Sequence, residues 1–264
     1  MRKIWLAACG VLAAAVIFLF FWLPGRYVVP VLMYHSISIA ENQRDSANSV
    51  SPAAFERQMR FIKQNGYRVL TADEYAAITA AGGKFPAKSV VITFDDGVLD
   101  NFTQAYPVLR KYDLPALIFV PSAAVGGPAE QWAWPRLDRA QMLEMSAHGI
   151  TIGSHTVTHA YLPDLPLDTA RREIVDSKRE LERQLGRNVD YLAFPTGGFS
   201  DEMKLIARQA GYKAAFTTNR GRDRLNWDLY EIKRIRIKDA DGAVVLLVKL
   251  SGYYNLIRDS QSPY

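Results

Sequence analysis

The chain has 264 residues, 49% of them hydrophobic and 22% charged, with 32 basic against 27 acidic side chains and a formal net charge of +5. That is an ordinary globular composition, and the basic surplus is too mild and too scattered for a nucleic-acid-binding protein. A single cysteine, Cys9, excludes an intrachain disulfide and a cysteine-rich metal site.

Arg2 and Lys3 precede Ile4–Leu23, a stretch with no charge that is long enough to cross a bilayer core. Basic residues before the apolar run place the N-terminus in the cytoplasm and the body beyond the inner leaflet. The alternative is a cleaved signal peptide, whose apolar region is usually shorter; no good small-x-small site precedes the body. The sequence therefore divides into a membrane anchor or signal segment at 1–26 and one domain at 27–264. It is expected to be anchored in the inner or plasma membrane with the domain periplasmic or extracellular, or secreted if the leader is cleaved.

In the body, strand-like and helix-like stretches alternate. Tyr27–His35 reads as a strand, and Ser51-Pro52 opens a helix carrying Phe55, Met59 and Ile62 at helical spacing, which Asn65-Gly66 ends. Tyr67–Leu70 is a short strand, Thr71 caps a helix to about Ala81, and Ser89–Phe94 is a strand followed by a helix over about Phe102–Lys111. Next come a strand at Ala116–Val120, a loop with Trp132 and Trp134, a helix at Arg139–Ala147, and Gly149–Gly153 leading into SHTVTH. A long charged helix at Asp168–Leu185 follows, then strands at Tyr191–Phe194, Lys213–Thr217 and Ile232–Ile237 and helices at Asp201–Ala210 and Ala243–Leu250. Such alternation predicts an α/β fold with parallel strands and helical crossovers, whose chemistry gathers at the C-terminal ends of the strands.

Three stretches fall at predicted strand ends. Asp95-Asp96-Gly97 closes Ser89–Phe94 with two adjacent acids that repel each other. SHTVTH sets two of the chain's four histidines, His155 and His159, four residues apart, a spacing that shares a face on a helical turn. Two imidazoles and a carboxylate from another strand end make a divalent-metal site with open positions. Pro195-Thr196-Gly197 forms a turn able to point backbone N–H groups at a developing oxyanion. Each stretch alone reads as a turn or a surface pair; together, at one end of a parallel layout, they point to a site.

TFDDG followed by SHTVTH resembles the polysaccharide deacetylases of the NodB-homology, carbohydrate esterase 4 type, over about residues 27–238. The resemblance implies a distorted (β/α)7-type barrel and metal-dependent removal of N-acetyl groups from amino-sugar polymers. It also implies that Asp96, His155 and His159 hold the metal while Asp95 serves as general base. The metal is expected to be zinc, with iron, nickel, cobalt and manganese as alternatives for such a donor set. Two features depart from the family. Where members often carry an arginine that buttresses the catalytic aspartate, this chain has Ala193-Phe194-Pro195-Thr196-Gly197, and no histidine follows His159. Tyr34-His35-Ser36-Ile37 resembles the Tyr-His-x-Ile motif of a branch that includes exported poly-N-acetylglucosamine deacetylases, and it makes His35 the candidate general acid; otherwise His35 is a buried histidine holding a loop. Pro195, Thr196, Gly197 and Trp132 are candidate substrate contacts, although the tryptophan equally suits loop packing. The expected partner is an N-acetylated polysaccharide, most plausibly β-linked N-acetylglucosamine. A deacylase or deformylase of a lipid-linked amino sugar and a non-catalytic glycan-binding relative are the rival readings.

Overall fold

The structure, a computed structural model, describes residues 24–40 and 47–262. The apolar run Ile4–Leu23 lies outside the described residues, and Pro24–Arg26 form one 3-10 turn. Among the described residues no helix is long and apolar enough to cross a membrane.

Eight strands are present among the described residues: β1 (Val31–Tyr34), β2 (Arg68–Val69), β3 (Ser89–Phe94), β4 (Ala116–Val120), β5 (Ile150–Ser154), β6 (Tyr191–Ala193), β7 (Ala214–Phe216) and β8 (Ile235–Arg236). All pair in parallel, in the order β7-β6-β5-β4-β3-β1-β8, with β2 added to β3. The ends of this path approach each other, because Ile232 bridges Phe216 of β7 while Ile235 and Arg236 pair with Leu32 and Met33 of β1. The sheet thus curls into a distorted (β/α)-type barrel. Its main helices are α1 (Pro52–Gln64), α2 (Ala72–Ala80), α3 (Tyr106–Tyr112), α4 (Arg139–Ala147), α5 (Leu167–Leu185), α6 (Asp201–Gln209) and α7 (Ala243–Lys249).

Local chemistry sets the helix ends. The Ser51 hydroxyl accepts from the Ala54 N–H, and Thr71 and Glu74 form a reciprocal capping box, as do Asp138 and Gln141. The first predicted strand is shorter than expected. Pro30 has no N–H to give a ladder, and the Val28 N–H is turned to Gly252 O. The predicted helix at Phe102–Lys111 begins instead as a π-turn over Asn101–Ala105 before α3. The last predicted strand narrows to β8 plus the bridge at Ile232.

Alternation along the strands separates two cores. Leu32, Ile92, Ile118, Leu192 and Ala215 pack outward with helix residues such as Phe55, Met59, Leu109, Met142, Ile174 and Ile206. Val31, Val91, Leu117, Phe119, Tyr191, Ala193, Ala214, Phe216 and Ile232 form a separate cluster enclosed by the strands. Two to four residues farther along this inner face stand the polar side chains of the site.

Candidate metal and catalytic site

Counting by twos along the inner face, β1 carries Val31 and Met33 and is followed by His35; β3 carries Val91 and Thr93 and is followed by Asp95; β5 carries Gly153 and is followed by His155; and the closing segment runs Ile232, Arg234. The period of two that buries valines at one end of the barrel therefore delivers His35, Asp95, His155 and Arg234 to the other. These residues share a cleft of about 610 Å³ with Asp96, His159 and Thr196.

Asp96 breaks the alternation. As the neighbour of an inward residue it should face outward, but its φ of 71° turns it out of the strand and into the same cleft. Gly97 follows at φ 58°, where a Cβ would press within 3.0 Å of the Val120 side chain. The Arg136 guanidinium donates to Asp96 O at 2.7 Å, and Leu137 N–H to Gly97 O at 2.9 Å, which holds the turn. The two acids of the motif thus reach one site through opposite backbone conformations, at a local cost of about 1–3 kcal/mol for the left-handed aspartate.

SHTVTH is not a helical turn, contrary to the expectation from its spacing. His155 directly follows β5, and Thr156 (φ 65°) and His159 (φ 62°) fold the loop back upon itself. Glu173 of α5, nearly buried, replaces the missing helix ladder. One carboxylate oxygen accepts from Val157 N–H and Thr158 N–H, each at 2.9 Å, and the other from the Thr158 hydroxyl at 2.8 Å. Ser122 and Ala123 N–H groups donate to Thr156 O and Val157 O. The spacing singled out the two histidines, and a clamped loop rather than a helical turn brings them together.

His159 Nε2 lies 3.2 Å and His155 Nε2 3.6 Å from Asp96 Oδ1. One ligand atom from each of the three residues falls within 4.8 Å of the others. His155 donates its Nδ1 proton to Ala193 O at 2.7 Å, which leaves Nε2 with its lone pair toward Asp96. Burial lowers the His155 pKa to about 4 against the nearby carboxylates, so its imidazole is neutral, the form a metal needs. Burial also pushes the Asp96 carboxyl up, but the hydrogen bond from His159 and the electrostatic pull of the surrounding imidazoles outweigh it and hold Asp96 well below the usual carboxylate range. Two oriented imidazoles and an ionised carboxylate fit a divalent cation.

Asp95 is 2% exposed and carries the partner that the sequence lacked at the expected place. The Arg234 guanidinium, itself 1% exposed, donates from Nη1 to Oδ1 at 2.5 Å and from Nη2 to Oδ2 at 2.7 Å. Its Nε donates to Thr217 O, Nη1 also reaches the Thr93 hydroxyl at 3.3 Å, and the guanidinium lies over the Phe119 ring. Burial raises the Asp95 pKa, but the charge of Arg234, then those of His155 and His35, and the Arg234 hydrogen bonds bring it below the ordinary value. The sequence signal for Arg234 was a run that mixes three isoleucines with three cations, IKRIRI at 232–237, in a predicted strand.

His35 Nε2 stands 3.9 Å from Asp95 Oδ2, beyond hydrogen-bond distance. Burial lowers its pKa despite the raising effect of Asp95 and Asp96. Its backbone is fixed from the far side of the motif. Asn101 Nδ2 donates to His35 O at 2.7 Å, and Asp100 accepts from the Ser36 hydroxyl and Ile37 N–H. The same short stretch, DDGVLDN, thus supplies two acids of the site and the two residues that seat the histidine opposite them.

A scan of family descriptions matches residues 82–215 to Polysaccharide deacetylase. YxkH of Bacillus subtilis is 34% identical over 209 residues, covering 79% of this chain and 71% of its own. The chain belongs to the polysaccharide deacetylase family. The poly-β-1,6-N-acetyl-D-glucosamine N-deacetylase of Staphylococcus aureus is 28% identical over 218 residues, 78% of this chain and 73% of that protein. Among solved structures, the Streptococcus pyogenes deacetylase PplD in complex with acetate superposes with a TM-score of 0.74 at 33% identity, over 84% of this chain and 97% of that one. IcaB from Ammonifex degensii gives 0.74 at 26% identity, over 85% and 97%.

The predicted substrate contacts divide. Thr196, at φ 52° in the turn after β6, lines the cleft of this deacetylase. Pro195 and Gly197 are buried beside it and do not line it; Gly197 abuts Thr218, where any Cβ would collide. Trp132 is a correction. It does not line the cleft, because its indole covers Gly127, where a Cβ would come within 2.5 Å of the ring, and flanks Arg136. A loop tryptophan beside a glycine finds apolar cover there, outside the lining of the cleft. His148, given no role from sequence, bonds Tyr106 away from the site.

Proposed function

We propose that this polysaccharide deacetylase hydrolyses N-acetyl groups on an amino-sugar polysaccharide built of β-linked N-acetylglucosamine, using a divalent cation held by Asp96, His155 and His159. The observation that carries the reading is the convergence of those three ligand atoms beside a carboxylate, Asp95, held ionised by a buried arginine. The substrate named for the Staphylococcus aureus relative supports the choice of polymer. Zinc is the first candidate for the cation, with iron, nickel, cobalt and manganese as alternatives. When bound, such an ion polarises the acetyl carbonyl and lowers the pKa of water.

The chain's own residues do the rest. Asp95 takes the proton of the attacking water, and its two bonds to Arg234 aim the carboxylate and keep it charged until then. Thr196 lies at the cleft wall for the developing oxyanion. His35 gives a proton to the departing amine as the C–N bond breaks. It is neutral at rest, so its charged form arises when the proton collected by Asp95 crosses the 3.9 Å gap between them. The apolar run Ile4–Leu23 behind Arg2 and Lys3 supports a place for the enzyme in the cell envelope, with the catalytic domain periplasmic or extracellular.

Acetate release from N-acetylglucosamine oligomers tests the reading. The expected result is release that stops with a chelator and returns with added zinc. Undiminished release after complete removal of metal contradicts the metal assignment, and no acetate from any N-acetylated glycan contradicts the activity.

A further inference from the structure

The cleft carries more positive charge than the reaction uses. Among its lining residues, Asp95 is matched by Arg234, Asp241 by Lys249 at 2.5 Å, and Asp96 faces His155 and His159. Arg220, Arg236, Lys238 and Arg258 also line it, and none has a carboxylate within ion-pair distance among the described residues. The side-chain contacts of Arg220 and Arg236 are to neutral groups, while the Lys238 backbone N–H donates to Asp241 Oδ2 at 2.8 Å. Arg220 donates to Thr196 O, the Tyr161 hydroxyl and Ser262 O, and Arg236 to Ala47 O.

Arg258 is the least satisfied of the four. Its Nη1 donates to Arg234 O at 2.7 Å, behind the guanidinium that holds Asp95, while Nε and Nη2 are buried with no acceptor. Burial lowers its pKa to about 10. A buried cation without a counter-charge is costly, and a protein keeps one where something else supplies the charge. Arg236 and Lys238 extend the inner-face alternation of Arg234 outward from Asp95, so the surplus forms a ladder from the catalytic carboxylate to the rim. A neutral N-acetylglucosamine polymer offers this ladder hydrogen-bond acceptors but no counter-charge. A polymer already deacetylated bears ammonium groups, which the ladder and a bound cation repel.

We infer that the cleft takes an amino-sugar glycan carrying an anionic substituent, a phosphodiester or a carboxylate, close to the sugar that is deacetylated, with the anion held by Arg236, Lys238, Arg220 and Arg258. The inference rests on the deacetylase reading and narrows its substrate class. Glycans of this kind are selected by charge, and stretches of product are rejected by the same charges.

Initial-rate acetate release, measured on three oligosaccharides of equal length, tests it: neutral N-acetylglucosamine oligomer, the same with a phosphodiester, and the same with a carboxylate. At low salt the kcat/KM for at least one anionic substrate exceeds the neutral one by roughly tenfold, and the ratio collapses toward one near about 1 M salt as screening shortens the reach of the charges. The identity of the preferred anion tells phosphate from carboxylate. The double variant R236Q/K238Q, at two exposed positions, brings the low-salt ratio to within about twofold. Equal kcat/KM for neutral and anionic oligomers at low salt overturns this inference alone. Release from none of the three overturns it together with the deacetylase reading.

Discussion

The inner face of the barrel changes character within one or two steps of its alternation. At one level stand Val31, Val91, Leu117, Phe119, Tyr191 and Phe216, apolar, close-packed and all but sealed from water. At the next stand His35, Asp95, His155 and Arg234, equally buried in the main but charged or chargeable. Backbone strain follows the same division. Asp96, Thr156, His159 and Thr196, all at the polar level, have left-handed φ, whereas the strand segments around the apolar level have none. The lower level fits the hydrophobic effect and needs only apolar volume. The upper level opposes it, and persists because Asp95 is paired with Arg234, Asp96 faces His155 and His159, and the turns at Asp96 and SHTVTH are clamped by Arg136 and Glu173.

Arg234→Met tests the comparison with the largest effect, because it strips Asp95 of both its strong hydrogen bonds. The expected outcome is a loss of about 3–5 kcal/mol of stability in denaturant unfolding, with turnover falling as well. An Arg234→Met protein of unchanged stability would mean that the upper level is not held by ion pairing. For His35→Gln the expected change is confined to chemistry: kcat lower by roughly 10²–10⁴-fold with little change in KM, read from steady-state acetate release. A fall in thermal stability with kcat intact would instead mark His35 as a loop anchor. Leu117→Ala probes the lower level. It should cost about 2–5 kcal/mol and leave kcat within a few-fold, since Leu117 touches no reacting group. Glu173→Gln is the mildest. It weakens the loop carrying His155 and His159, and metal titration should show affinity reduced by about 10–100-fold with the fold preserved.

The lower level was readable in the sequence and the upper one only in part. Runs such as Ser89–Phe94 and Ala116–Val120 became strands over the expected residues because burial on both faces demands continuous apolar side chains. Ser51, Thr71 and the Asn65-Gly66 stop were legible because caps are local chemistry. Asp95, Asp96, His155 and His159 were named from their motifs and gather in one cleft. Arg234 was missed because its partner is far away in sequence, and ion pairing across a barrel leaves no spacing to read. The conformation of SHTVTH was misjudged for a related reason. A four-residue spacing suits a helical turn, and only a distant carboxylate, Glu173, makes the loop the better alternative. Trp132 went astray because a loop aromatic says nothing of which surface it will cover.

Two adjacent carboxylates with different tasks are the centre of the account, and one paired measurement addresses them. Metal content and acetate release are determined side by side for the wild type, Asp95→Asn and His155→Ala. The account predicts that Asp95→Asn retains its metal and loses turnover, while His155→Ala loses both. An Asp95→Asn enzyme that kept most of its metal-dependent activity would contradict it.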